Sequence, residues 1–121
     1  MDLAAGKYLL LTTFRKDGTA VPTPVWVAGM NGTLYVWSAA DAGKVKRIRR
    51  SGDVQIGPCD FKGKPTGAQI PATARLLDRA GSDRARSLIA RKYGVVGRLS
   101  LLGSRIRRGR EGTIGIAIDP A

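Results

Sequence analysis

The sequence predicts a mostly β fold: a closed or split antiparallel barrel of six strands, with a short basic helix after strand 3 and a longer helix before the last strand. Three observations carry that prediction. Runs rich in β-branched and aromatic residues recur along the chain, Asp-Gly and Asn-Gly turns separate the first three, and only two segments have helical periodicity. Closure into a barrel removes the exposed edges that such a sheet would otherwise present. An open α+β sandwich is the alternative built from the same elements. At 121 residues the chain fills one domain, residues 1–121, and leaves no room for a second core.

Tyr8 to Phe14 is the first strand, and Arg15-Lys16-Asp17-Gly18 turns it back. Thr19 to Val27 is the return strand. Its Pro22 and Pro24 share one side, which marks an edge, a bulge, or a place where something other than a strand lies alongside. Asn31-Gly32 leads into Thr33 to Ser38, and three antiparallel strands by that point predict a meander. Asp41 to Arg50 changes character: Val45 and Ile48 share one helical face, with Lys44, Lys46, Arg47, Arg49 and Arg50 around them.

Ser51-Gly52 ends this helix, Asp53 to Asp60 reads as a strand, and Lys62-Gly63-Lys64-Pro65 turns into a long strand from Gly67 to Leu77. Asp83 to Tyr93 is an amphipathic helix with Ser82 as N-cap and Gly94 as its stop. Val95 to Gly103 is apolar and ambiguous, Arg105 to Arg110 reads as a basic loop, and Thr113 to Ile118 as the closing strand.

Composition narrows the chemistry. With 21 Lys and Arg against 9 Asp and Glu, the net charge is +12, so the partner is expected to be anionic: nucleic acid, an anionic membrane or a phosphorylated ligand. There is no histidine and one cysteine, which excludes an ordinary zinc site and any internal disulfide. No dinucleotide fingerprint, phosphate loop or nucleophile elbow is present. Asp17, Asp41, Asp60 and Asp83 stand where turn or cap residues belong. An enzyme with this composition would rely on a bound cofactor. The apolar run Tyr8 to Leu11 is too short for a signal segment or a membrane span, so the expected location is the cytoplasm, with no membrane partner.

The sharpest constellation is Tyr35-Val36-Trp37-Ser38 followed by Lys44-Val45-Lys46-Arg47-Ile48-Arg49-Arg50, a strand end running into a basic helix. Free N–H groups at that helix N-terminus would take a phosphate, and Ser38 and Lys44 would complete the cradle. A solvated basic helix face explains the same charges equally well.

Together with the first hairpin, Thr12-Thr13-Phe14 to Asp17-Gly18 and Pro22-Thr23-Pro24-Val25-Trp26-Val27, this constellation resembles the split-β-barrel flavin and deazaflavin oxidoreductases, the pyridoxamine 5'-phosphate oxidase-like proteins. Val54 to Asp60, Ala72 to Leu77 and Gly112 to Ile116 are also similar to the small coenzyme F420-dependent members, so the resemblance covers nearly the whole chain. It implies a homodimer with cofactor sites at the interface, and hydride transfer between F420 and an unsaturated small organic substrate. The ring would lie against the backbone around Thr23, Pro24 and Val25; Trp37 is a separate candidate, because an aromatic side chain can stack on a ring system. The phosphate end would meet Ser38, Lys44, Lys46, Arg47 and Arg50, and Arg105, Arg107, Arg108 and Arg110 would hold an oligoglutamate tail. FMN is the alternative cofactor, but Pro24 stands where the pyridoxamine-phosphate oxidase pattern has a phosphate-binding Arg.

Several side chains have bland readings beside the functional one. Trp26 and Trp37 belong to the core more often than to a cofactor, and Tyr93 reads as core. Cys59 reads as a small buried hydrophobe, with no histidine to activate it. Arg75 implies either a buried anion partner or an exposed strand face. A basic barrel that binds nucleic acid is the rival from another class, and its charge would suit it. Its seven aromatics, several at core positions, argue against that reading.

Overall fold

The computed structural model describes residues 3, 6–108 and 112–120, with 94–108 described by their backbone. Seven strands and two helices follow in the order β1 (Leu9–Phe14), β2 (Ala20–Val25), β3 (Ala28–Met30), β4 (Thr33–Ala39), α1 (Gly43–Arg50), β5 (Asp53–Pro58), β6 (Ile70–Leu76), α2 (Arg79–Arg108) and β7 (Thr113–Pro120). All strands join one antiparallel sheet in the order β2-β1-β5-β6-β7-β4-β3. The sheet's two outermost strands, β2 and β3, are joined by only Trp26 and Val27. Val25 and Ala28 are three Cα steps apart, a reach of at most about 11 Å, so the sheet must curl until its edges come together at that point. A split barrel results, in place of the open sandwich.

Alternation decides which side chains fill the barrel. Leu9, Leu11, Val25, Leu34, Val36, Val54, Ile56, Ala72, Ala74, Ile116 and Ile118 point inward and form the core. Val45 and Ile48 of α1 join them from one end, so the helix plugs the barrel while its cations stay at the rim. On the outside α2 packs against β7 and β4, with Ala85 and Ile89 fully buried.

Both sequence-predicted turns are present. Gly18 has φ +88°, and Asn31 and Gly32 have φ +53° and +83°, the paired left-handed conformation of a two-residue hairpin turn. Four expectations need correction. The first three strands are not a meander, since β1 pairs with β2 and β5 while β4 pairs with β3 and β7. A short seventh strand, β3, was not anticipated because Ala-Gly-Met lacks strand-forming residues. Ser82 does not cap α2: Asp78 does, its Oδ1 accepting from Gly81 N–H at 2.7 Å, while Ser82 lies buried inside the helix. Gly94 does not end α2, which runs on through Arg108, so Arg105, Arg107 and Arg108 are helical and not in a loop; Arg110 lies outside the described residues. One helical glycine costs only about 1 kcal/mol relative to alanine, so Gly94 alone does not stop the helix.

Candidate functional site

The β2 side of the barrel stays open, and the sequence explains why. The β3–β4 ladder ends at Ala28↔Tyr35. Extended by the same register, it would set Val25 opposite Ser38 and Pro24 opposite Ala39, yet β2 pairs only with β1. Pro22 and Pro24 cannot donate, so the ladder to β1 relies on the N–H groups of Val21, Thr23 and Val25. Those of residues 22 and 24 would have faced the split. That edge of β2 therefore offers the Pro22 and Pro24 carbonyls as acceptors without donors between them, and β4 cannot zip onto it. The prolines mark an edge strand, one of the alternatives the sequence left open.

Thr23–Val25 thus flank one side of the split, and Ser38 with the start of α1 flanks the other. Within β2, Thr23 and Val25 face the barrel interior, while Pro24 faces outward, its ring beside Gly63 of the β5–β6 loop. Ser38 is buried and donates to the Ala39 carbonyl at 3.1 Å. Trp37 goes the other way: it is paired with Gly115 on the face that α2 covers, so within one chain Trp37 and Ser38 cannot line the same site. A β-strand turns successive side chains to opposite faces, which separates these two.

The helix α1 carries Lys44, Lys46, Arg47, Arg49 and Arg50 and no acid. Among the described residues none of the five has a carboxylate partner. Arg47 Nε donates to Thr13 Oγ1 at 2.6 Å, and Arg50 Nη2 donates to the Phe14 carbonyl at 2.6 Å, so both arginines lean onto the end of β1. Lys46 and Arg49 are exposed. Lys44 is half-buried, and its amine titrates below its usual value because burial disfavours the charge and Arg47 repels it. A half-buried cation with a cationic neighbour and no acid costs stability, which is the pattern of a binding site more than of a structural ion pair. This donor set fits a phosphate-type anion. Thr23 pairs with Leu11, and Thr13 lies two residues further along β1, so the edge of β2 and the Arg47 contact are roughly 7 Å apart along the strand.

Other cations are already committed. Arg86, nearly buried, grips Asp83 at 2.7 Å and the Thr113 carbonyl at 2.8 Å, lining a cavity of about 230 Å³ at the start of α2. Arg75 sits on the exposed face of β6, 3.9 Å from Asp119, which supports the exposed-face reading. Trp26 stacks on Tyr93, with centroids 4.5 Å apart. Cys59 is buried, and its thiol is pushed up first by burial and then by Asp60. Asp17 and Asp60 serve turns through backbone N–H groups of Thr19, Lys62 and Lys64. Sequence reasoning missed Thr13 as Arg47's acceptor; a threonine near the end of an apolar strand gives no sign of it.

No family model and no curated relative matches the sequence. Solved structures do. A Listeria innocua protein described as "Putative Pyridoxamine 5'-phosphate oxidase" is 17% identical, with a TM-score of 0.66 over 98% of this chain and 86% of that one. An F420 reductase is 17% identical with a TM-score of 0.63, covering 98% and 90%. The heme storage protein HutZ of Vibrio cholerae is 15% identical with a TM-score of 0.65, covering 97% and 83%. The chain has the fold of these proteins. Their names assign them an oxidase, a reductase and a heme store, so the chemistry of this chain rests on its own residues at the split. Among the described residues no helix is long and apolar enough to cross a membrane.

Proposed function

We propose that this chain binds a flavin-type redox coenzyme in the split, coenzyme F420 in particular, and is an oxidoreductase acting on an unsaturated small organic molecule. The observation that carries the proposal is the acid-free helix α1, whose Arg47 reaches Thr13 of β1, the strand paired with the open-edged β2. Lys44 and Arg47 hold the anionic end by charge-assisted hydrogen bonds, and Ser38 borders that pocket. The backbone of Thr23–Val25 faces the ring, with the Pro22 and Pro24 carbonyls available to accept from its N–H groups. When bound in its reduced form, the deazaflavin would supply a hydride from its C5 to the substrate.

F420 is favoured over FMN because α1 carries more cations than one phosphate needs. The exposed Lys46 and Arg49 remain for a longer anionic tail. The similarity to an F420 reductase supports the same choice. We also propose that two copies of the chain enclose each coenzyme, since one chain supplies only the β2 and α1 walls of the split.

Titration of the purified chain with F420, FMN and a short oligonucleotide, followed by fluorescence or anisotropy, tests the reading. Tight F420 binding is expected. FMN binding with none of F420 would overturn the coenzyme, and oligonucleotide binding without either would overturn the enzyme.

A further inference from the structure

Val27 poses a hydrogen-bonding problem, because it lies between the two edge strands, after β2 ends and before β3 begins. It is fully buried, so water cannot satisfy its backbone, and an unpaired buried amide is costly. Two consecutive residues of α2 solve the problem. Val27 N–H donates to Tyr93 Oη at 3.0 Å, and the Val27 carbonyl accepts from Lys92 Nζ at 2.6 Å. The same two groups reach the lead-in to β1: Tyr93 Oη donates to the Lys7 carbonyl at 2.5 Å and Lys92 Nζ to the Gly6 carbonyl at 2.6 Å. Tyr93 has a single hydroxyl proton. Its 3.1 Å approach to the Val27 carbonyl is therefore the weaker alternative, and that carbonyl depends on Lys92. The Trp26 indole, stacked within 9° of parallel on the Tyr93 ring, fixes the residue before Val27 as well.

We propose that Tyr93 and Lys92 are positioning residues for the coenzyme ring, acting through the Val27 backbone. This rests on the reading of the split given above. Val27 lies two residues beyond Val25, so the pin sets where Thr23–Val25 stand relative to the edge of β4. Its polar tips do what a buried phenyl ring of the same size could not. Packing alone therefore does not account for the arrangement.

The test compares Tyr93→Phe, which keeps the Trp26 stack and removes only the hydroxyl, with Lys92→Met and Lys92→Arg. Tyr93→Phe and Lys92→Met should each weaken F420 and FMN about tenfold, the loss of one well-placed hydrogen bond. Lys92→Arg, which keeps donors for both carbonyls, should stay near the wild type. Inorganic phosphate, used as a competitor for the anion end, should inhibit all variants equally, and amide exchange at Val25 and Val27 should quicken in the two weakened variants. Wild-type coenzyme affinity in folded Tyr93→Phe overturns the proposal, as does an equal loss of phosphate inhibition. If Tyr93→Phe does not fold, Lys92→Met decides in the same way. A wild-type chain that binds neither coenzyme instead overturns the reading of the split, and the positioning role with it.

Discussion

Arg47 donates a 2.6 Å hydrogen bond to Thr13 Oγ1, joining the plug helix to a threonine of β1 that is itself buried. The guanidinium folds back over the start of its own helix: a Cβ at Gly43 would lie 2.7 Å from Arg47 Nη1. Arg47 is therefore held near Lys44, whose charge it disfavours. An anion bound between the two would relieve that repulsion.

Lys44→Ala is expected to weaken F420 binding by about 1.5–3 kcal/mol, the worth of a charge-assisted hydrogen bond. Thermal stability should hold or rise, because the variant removes a partly desolvated charge that has no acid beside it. Opposite signs in the two measurements separate a binding residue from a structural one. Unchanged affinity removes Lys44 from the site.

The same lysine sets a pH dependence. Its folded-state amine titrates below the usual 10.5, the reverse of a lysine that gains a carboxylate. Between that lowered value and 10.5 the unfolded chain holds more protons, so this group's contribution to stability rises with pH across the window and its penalty is fully present below it. An anionic ligand favours the charged amine, so binding takes up a proton and weakens as pH rises through the window. Dissociation constants measured from neutral pH to 10.5 should rise in the wild type and stay flatter in Lys44→Arg, whose guanidinium does not titrate there.

Ile48 carries the other face of α1 into the barrel, 4% exposed among the core residues. Ile48→Ala should cost about 2–5 kcal/mol in urea unfolding, as for a large buried aliphatic cut to alanine. A loss below about 1 kcal/mol would mean that α1 does not plug the barrel, which lies well outside that range.

Much of this arrangement was legible in the sequence because it is local. Asp17-Gly18 and Asn31-Gly32 announce their turns, Val45 and Ile48 announce the buried side of α1, and Pro22 and Pro24 narrow β2 to an edge, a bulge or a ligand-facing strand. Partners chosen across the fold were not legible. The pairing of β4 with β7, far apart in the chain, depends on barrel closure and leaves no local mark. That Trp37 faces α2 while Ser38 faces the core follows from strand parity only after the sheet is known. The Val27 pin was hidden for the same reason: Tyr93 is 66 residues from its backbone partner and reads as an ordinary core aromatic.

Cys59 should be chemically quiet. Burial, and then the Asp60 carboxylate, raise its thiol above the usual value, so little thiolate forms near neutral pH. A disulfide reagent should modify the native chain slowly and the urea-unfolded chain fast, and Cys59→Ala should leave coenzyme affinity unchanged. Fast native labelling would mean that the segment around Cys59 opens more readily than its burial implies.

Gly115 lies close beneath the start of α2. A Cβ there would stand 2.9 Å from Ser82 Cα, 3.0 Å from Ala85 Cβ and 3.1 Å from Leu77 Cδ1. The first two neighbours are fixed parts of the helix and cannot swing aside, so α2 itself would have to lift from β7. That shift would also strain the 2.9 Å hydrogen bond from Gly115 N–H to Ser82 Oγ. Gly115→Ala should therefore cost about 1–3 kcal/mol despite adding one methyl group. Gly18→Ala provides the contrast: nothing lies within 4 Å of its Cβ, and its cost comes only from φ +88°. Both losses appear as lower urea midpoints, but only Gly115→Ala should also quicken amide exchange at Val27, because the helix it displaces carries Lys92 and Tyr93. If Gly115→Ala is as stable as the wild type, α2 is not seated on β7 as described.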